Sequence, residues 1–224
     1  MVKIDRTPTP PASLAVEKTK EENGSSGSYN QKDVVEQLHK DSHGKCYLCE
    51  QDELQAIQIE HLKPHHGGKD LDLKYDWTNL FFSCSHCNSV KNRKQYEHDI
   101  LDCCIDDPET KIHQALNGDY VEVKPLDQTI VAKNTAALVQ DCFELRNHEI
   151  RSIESQNKVK SLKKTMNLLC KYLDNLEHGT GKRTITVLRG MLSREYKFSG
   201  FTRTYVRDHL DRYPMLEPYV RLDP

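Results

Sequence analysis

The sequence predicts an α+β fold in which a small cysteine-stapled module sits inside a mainly helical chain. Three observations predict it. Two Cys-x2-Cys pairs, Cys46/Cys49 and Cys84/Cys87, are separated by 34 residues. The text between them reads as a short strand and an apolar cluster, divided by Pro64 and Gly67-Gly68. From about 134 to 178, Val159, Leu162, Met166, Leu169, Leu173 and Leu176 recur at spacings of three and four, one face of a helix.

Taken in order, residues 1–20 hold Pro8, Pro10 and Pro11 and are expected to be extended, as a disordered tail or a docking strand. EENGSSGSYN (21–30) reads as a flexible linker by composition. Residues 31–42 read as a helix with Val34, Val35 and Leu38 on one stripe, stopped by Gly44. Cys46–Cys49 reads as a metal knuckle and Ala56–Ile59 as a short strand. Trp77, Leu80, Phe81 and Phe82 form the next apolar cluster, and a helix is expected after Cys87. Asp106-Asp107-Pro108 and Asn117-Gly118 make 105–130 turn-rich, with room for a small hairpin. The long helix should end near Gly179 and Gly181, and a last helical or mixed segment covers 183–213.

Composition narrows the class. The chain of 224 residues has a net charge of −2, so it is not a uniformly basic nucleic-acid binder, and any such contact must come from local patches or a partner. No run approaches the roughly 18 apolar residues of a membrane span, and MVKIDRTPTPPASLAVEK has no apolar leader core. A cytoplasmic protein is expected. Eight cysteines in that setting favour a metal site over disulfides, with a redox dithiol as the other reading of a CxxC. Cys46, Cys49, Cys84 and Cys87 supply four thiolates, a preferred tetrahedral set for structural Zn²⁺. Cys103, Cys104, Cys142 and Cys170 have no chelating partner in sequence and read as buried thiols.

Inside the staple lie Glu60-His61-Leu-Lys-Pro64, then Thr78-Asn79-Leu80, and Cys87 runs directly into Asn88. In this order they resemble the HNH endonucleases, whose ββα-metal motif combines an acid–His pair before a Pro, a central Asn-Leu and a final Cys-x2-Cys followed by His or Asn. The resemblance covers about residues 43–96. It implies a ββα-metal module for DNA phosphodiester hydrolysis. His61 would be the general base, with Asn79 orienting it or the backbone. Glu60 and Asn88 would be oxygen ligands of a catalytic Mg²⁺ or Mn²⁺. The chemistry suits the residues: imidazole accepts a proton near neutral pH, and amide and carboxylate oxygens suit hard cations. Asn88 stands where many members have His. Other readings stay open: His61 as a core histidine, Glu60 as a solvated strand end, Asn79 as a turn residue, Asn88 as a helix cap. His65 and His66 fit either exposed loop positions or metal and phosphate contacts, and His86 is expected to point outward. Lys91, Arg93 and Lys94 follow on the helix and are placed to meet phosphates.

The phrases VKIDRTPTPPASL, Ile-Glu-His-Leu-Lys-Pro and Tyr75-Asp-Trp-Thr-Asn-Leu-Phe-Phe-Ser-Cys are similar to bacterial HNH proteins of the Septu (PtuB) and retron-associated type. That resemblance implies the nuclease subunit of an anti-phage defence hetero-oligomer, beside PtuA-like ATPase subunits of the ABC/SMC type, acting on DNA. The expected organisation is an extended arm and linker at 1–30, the HNH module at 31–104 and a mainly helical region at 105–224. Lysines and arginines of 156–171 and 182–207 fit a DNA- or partner-facing surface, or a solvated face. A non-catalytic zinc adaptor and a stand-alone restriction or homing nuclease are the rival functions.

Overall fold

The computed structural model describes residues 1–144, 151–179 and 181–222. The helix expected across 134–178 therefore includes a stretch, 145–150, that lies outside the described residues.

The N-terminal segment departs from expectation. Residues 1–11 are extended but neither loose nor free. Met1 and Val2 are buried, and the Met1 ammonium donates to Glu50 and Gln114. Ile4 N–H donates to the Cys103 carbonyl at 2.9 Å. The Arg6 guanidinium lies over the rings of Trp77 and Phe81, 4.9 and 4.5 Å from their centroids. The extended state ends at Pro11, and α1 (Ala12–Glu22) follows at once. A proline just ahead of a helix costs nothing, because no N–H is needed there and its fixed φ suits the approach. The supposed linker is also anchored: Ser28 N–H donates to Glu17 Oε2 at 3.0 Å. Next comes α2 (Lys32–Asp41), which buries Val34 and Leu38.

The cysteine-stapled unit has the expected ββα order. β1 (Ile57–His61) pairs antiparallel with β2 (Leu80–Cys84), from Ile57 opposite Cys84 to His61 opposite Leu80. The connection between them holds α3 (Leu71–Tyr75). β2 is buried along its length, since Phe81 enters one core and Phe82 another. α4 (Ser85–Lys91) follows without a loop. Its N-cap is Cys84, whose sulfur accepts from Cys87 N–H at 3.4 Å. Asn88 is thus one turn inside the helix and does not cap it.

The hairpin in the turn-rich stretch is β3 (Ile112–Asn117) with β4 (Tyr120–Pro125). α5 (Ile130–Asp141) packs on β4. α6 (Arg151–Glu177) buries Val159, Leu162, Met166, Leu169 and Leu173, the stripe read from the sequence. Gly181 opens rather than closes a helix: α7 (Gly181–Met191) packs on α6. α8 (Ser199–Asp208) packs on β3, and α9 (Glu217–Val220) on α8. One hydrophobic cluster runs from Met1 through Cys46, Phe81 and Leu162 to Val220, so the stapled unit and the helical region share a core. Glu50, next to the zinc knuckle, joins them by accepting from Ser199 Oγ at 2.6 Å and Gly200 N–H at 3.1 Å. Gly200 has no room for a Cβ, which would meet Glu50 and Gln114.

The cysteines outside the staple divide. Cys103 and Cys142 are buried as expected, whereas Cys104 is half-buried and Cys170 is exposed.

Candidate metal centre and nuclease cleft

The four staple cysteines converge. Cys46 and Cys49 come from the turn before β1, Cys84 ends β2 and Cys87 lies in the first turn of α4. All four are buried, and their sulfurs lie within 4.8 Å of one another. Four thiolates at that mutual distance fit a structural zinc ion. This is the one group of three or more His, Cys, Asp or Glu side chains placed to hold a metal among the described residues.

The centre has an outer layer from α6. Lys158 is 5% exposed and its Nζ donates to Cys84 Sγ at 3.3 Å. Burial disfavours the ammonium, but the cysteine sulfurs around it outweigh that, so its pKa is raised. His86 is buried and does not point outward: Nε2 lies 3.1 Å from the Cys142 carbonyl and 3.2 Å from Ser155 Oγ, and Nδ1 lies 2.9 Å from the Glu154 carboxylate.

Beside the staple, β1, α4 and the loop after Pro64 enclose a cleft of about 490 Å³. His61 and Asn88 both line it, with Tyr29, His65, His66, Lys94 and Glu97. His61 ends β1. Its Nε2 lies 3.0 Å from the Lys74 carbonyl, which can only accept, so Nε2 carries the hydrogen and the neutral ring keeps its lone pair on Nδ1. Burial lowers the His61 pKa to about 4, against the hydrogen bond to Lys74 that favours the charged form. The ring is therefore neutral at pH 7, the form that accepts a proton. The His65 ring lies 4.4 Å from it, centroid to centroid.

Asn79 does not touch His61. Its Nδ2 donates to the carbonyls of Lys63 and Leu73, both at 2.9 Å, and its Oδ1 accepts from Lys63 N–H at 2.7 Å. It therefore fixes the loop whose next carbonyl, that of Lys74, holds His61.

Glu60 is not brought into the cleft. Strand alternation turns it to the opposite side of β1 from His61. It is 2% exposed, accepts from Tyr47 Oη at 2.5 Å and lies 3.5 Å from Lys91 Nζ. Burial raises its pKa, with Lys91 and Tyr47 opposing. Lys91 is likewise held from inside: buried, it donates to the Leu62 carbonyl at 3.1 Å. Arg93 pairs with Asp141 at 2.9 Å, and Lys94 stays exposed at the cleft.

The side-chain donors left in the cleft are the amide oxygens of Asn88 and Asn92, imidazole nitrogens, the Tyr29 hydroxyl and the Glu97 carboxylate. Such a set fits a hard cation that keeps most of its water and takes the rest of its ligands from a phosphate group.

Two antiparallel strands and a helix stapled by four cysteines, with a histidine at the strand end and Asn88 of the helix lining one cleft, have the arrangement of a metal-binding ββα unit. The comparison with known families agrees: residues 46–94 match the HNH endonuclease family model. No curated protein matches the chain. No described helix is long and apolar enough to cross a membrane.

Two features of the site escaped sequence reasoning. Tyr29 was hidden in a Ser/Gly-rich stretch, and Lys158 in a lysine-rich helix; neither carries a local signal, because each reaches the site by tertiary packing.

Proposed function

We propose that this chain is a metal-dependent endonuclease that hydrolyses DNA phosphodiester bonds. We propose further that it is the nuclease subunit of a cytoplasmic anti-phage defence complex with an ABC/SMC-type ATPase. The observation that carries the nuclease reading is the pairing of a neutral His61, its Nε2 satisfied by Lys74, with Asn88 across one cleft. The defence reading is supported by the sequence phrases that resemble the Septu type.

In this reading the His61 lone pair takes a proton from the attacking water. Asn88 would hold the divalent cation, which offsets charge on the phosphate when bound. Lys94 attracts the phosphate backbone at the cleft mouth, and Asn79 keeps the Lys63–Lys74 loop in register. Exposed Lys160, Lys164 and Lys171 on α6 add a sequence-independent electrostatic surface for the duplex. Zinc and the cysteines stay outside the chemistry and set the angle between β1, β2 and α4.

The test is plasmid cleavage by the full chain with Mg²⁺ or Mn²⁺, alone and with the product of its genomic neighbour. His61→Ala should abolish cutting while zinc content and circular dichroism stay as in the parent. Undiminished cutting by that variant removes the general-base assignment. Stable DNA binding without any metal-dependent cutting, alone or with the neighbour, would favour a zinc adaptor instead.

A further inference from the structure

The cleft wall against His61 is built in part by residues that precede the segment matched to the family. We propose that the strap 23–31 is part of the nuclease site and that Tyr29 is a positioning residue for the His61 imidazole. This rests on the reading of His61 given above.

The His61 ring is held from three directions. Lys74 fixes Nε2, His65 packs at a tilt of 53°, and the Tyr29 ring stands perpendicular to it at 4.6 Å. Perpendicular packing of two rings is a favoured geometry that fixes both planes. Tyr29 also reaches His65, at 6.1 Å, so one phenol ring braces both imidazoles.

The strap is placed by α1 and cannot drift. Ser28 N–H donates to Glu17 Oε2 at 3.0 Å, and the Gln31 side chain donates to the Ser28 carbonyl at 3.2 Å. Gly27 passes so close to α1 that an added Cβ would collide with the Glu17 carbonyl and lie 2.5 Å from Tyr75 Oη. The same helix anchors the other support of His61. Glu21 Oε2 accepts from Lys74 Nζ at 2.5 Å and from Tyr75 Oη at 2.6 Å. Two carboxylates one helical turn apart, Glu17 and Glu21, thus secure the aromatic brace and the Lys74 carbonyl together. That is a frame for one side chain, and His61 is the chemical group inside it.

The contact is made by a ring face or edge rather than by the phenol oxygen, so the ring and not the hydroxyl should matter. The experiment is steady-state hydrolysis of bis(p-nitrophenyl) phosphate with Mn²⁺ by the full chain, with zinc content and thermal midpoint measured for each variant. Tyr29→Ala should lower kcat by about 10- to 100-fold, the scale of a misplaced catalytic group, and leave KM within about twofold, since no binding contact is removed. Tyr29→Phe should restore kcat to within about threefold of the parent, because it keeps the ring. Gly27→Ala should lower kcat in the same direction by displacing the strap without altering Tyr29.

Three results would overturn the proposal: parental kcat in Tyr29→Ala, a loss confined to KM, or a Tyr29→Phe variant as impaired as Tyr29→Ala. His61→Ala separates the two levels of inference. If it cuts as the parent does, the reading of the site itself fails. If it is inactive while Tyr29→Ala has parental kcat, only the role of the strap fails.

Discussion

Replacing Lys158 by methionine should weaken zinc retention without touching a zinc ligand. Lys158 is almost fully buried on α6 and donates to Cys84 Sγ at 3.3 Å. Zinc with four thiolates carries a formal charge of about −2, and a buried ammonium in contact with one sulfur cancels about half of it. A hydrogen bond to a charged group contributes about 1.5–3 kcal/mol, which corresponds to about 10- to 150-fold in an equilibrium constant. Outer-layer substitutions at metal sites cost about 10- to 100-fold in affinity. The expected rise in the zinc Kd for Lys158→Met is therefore about 10- to 100-fold. Methionine has similar length, so the space stays filled.

The assay is zinc transfer to a chromogenic chelator of known affinity, with stability measured in the zinc-loaded and zinc-stripped forms. The two forms should respond differently. The loaded protein loses a favourable charge contact. The stripped protein loses a buried ammonium whose counter-charge has gone, and should be no less stable than its parent. Unchanged zinc retention in Lys158→Met would refute the reasoning. So would an equal loss of stability in both forms, which would make the residue a packing element only.

Other outcomes follow from the same geometry. Cys84→Ser removes a zinc ligand and the sulfur that caps α4, and should leave the ββα unit unfolded or insoluble; a soluble, zinc-free, fully active variant would count against the structural role. Glu60→Gln should cost about 1–3 kcal/mol through lost pairing with Lys91, while cleavage persists; lost cleavage with intact fold and zinc would return Glu60 to the cation's ligands. Glu109 is buried among Arg203 (2.8 Å), Arg207 (2.5 Å) and Arg194 (3.0 Å). Burial alone would raise its pKa, but Arg203 and Arg207 hold it below the usual 4.5. Its stabilisation is thus complete above about pH 4.5 and is lost as pH falls through the depressed folded value, so Glu109→Gln should flatten the acid limb of the stability curve. At neutral pH the same change should cost about 3–5 kcal/mol, because three guanidinium groups lose their shared carboxylate. Lys160→Gln, Lys164→Gln and Lys171→Gln together should reduce the salt slope of duplex binding by up to about 3, each phosphate contact contributing about 0.9; an unchanged slope would detach α6 from DNA.

What was legible in the sequence is what short-range chemistry dictates. Cys46, Cys49, Cys84 and Cys87 announce their site because chelation demands the x2 spacing, and the ββα order follows from the residues between them. The leucine stripe of α6 is legible because burial imposes a period. The rest depends on contacts between distant segments. Three prolines concealed α1, since the sequence marks where a helix cannot run more clearly than where it starts again. The Glu60 and His61 side chains are adjacent in sequence yet lie on opposite faces of β1, and only the packing of Tyr47 and Lys91 decides which face the carboxylate keeps. Asn88 reads from the sequence as a metal ligand with a helix cap left open as the alternative, and the Cys84 sulfur fills that capping role instead.

The division of labour within the site follows from how far each group must be controlled. A zinc staple fixes backbone: it sets where β1 ends and where α4 begins, but leaves the χ angles of His61 free. Direction for that ring comes from groups spread along the chain, namely the Lys74 carbonyl, His65 and Tyr29. Two of those three supports are secured by Glu17 and Glu21 of α1, outside residues 46–94. A family pattern confined to the staple can therefore mark His61 without specifying how it is held. Because those anchors lie outside residues 46–94, substitutions in the first 31 residues should alter the rate while the matched pattern stays intact.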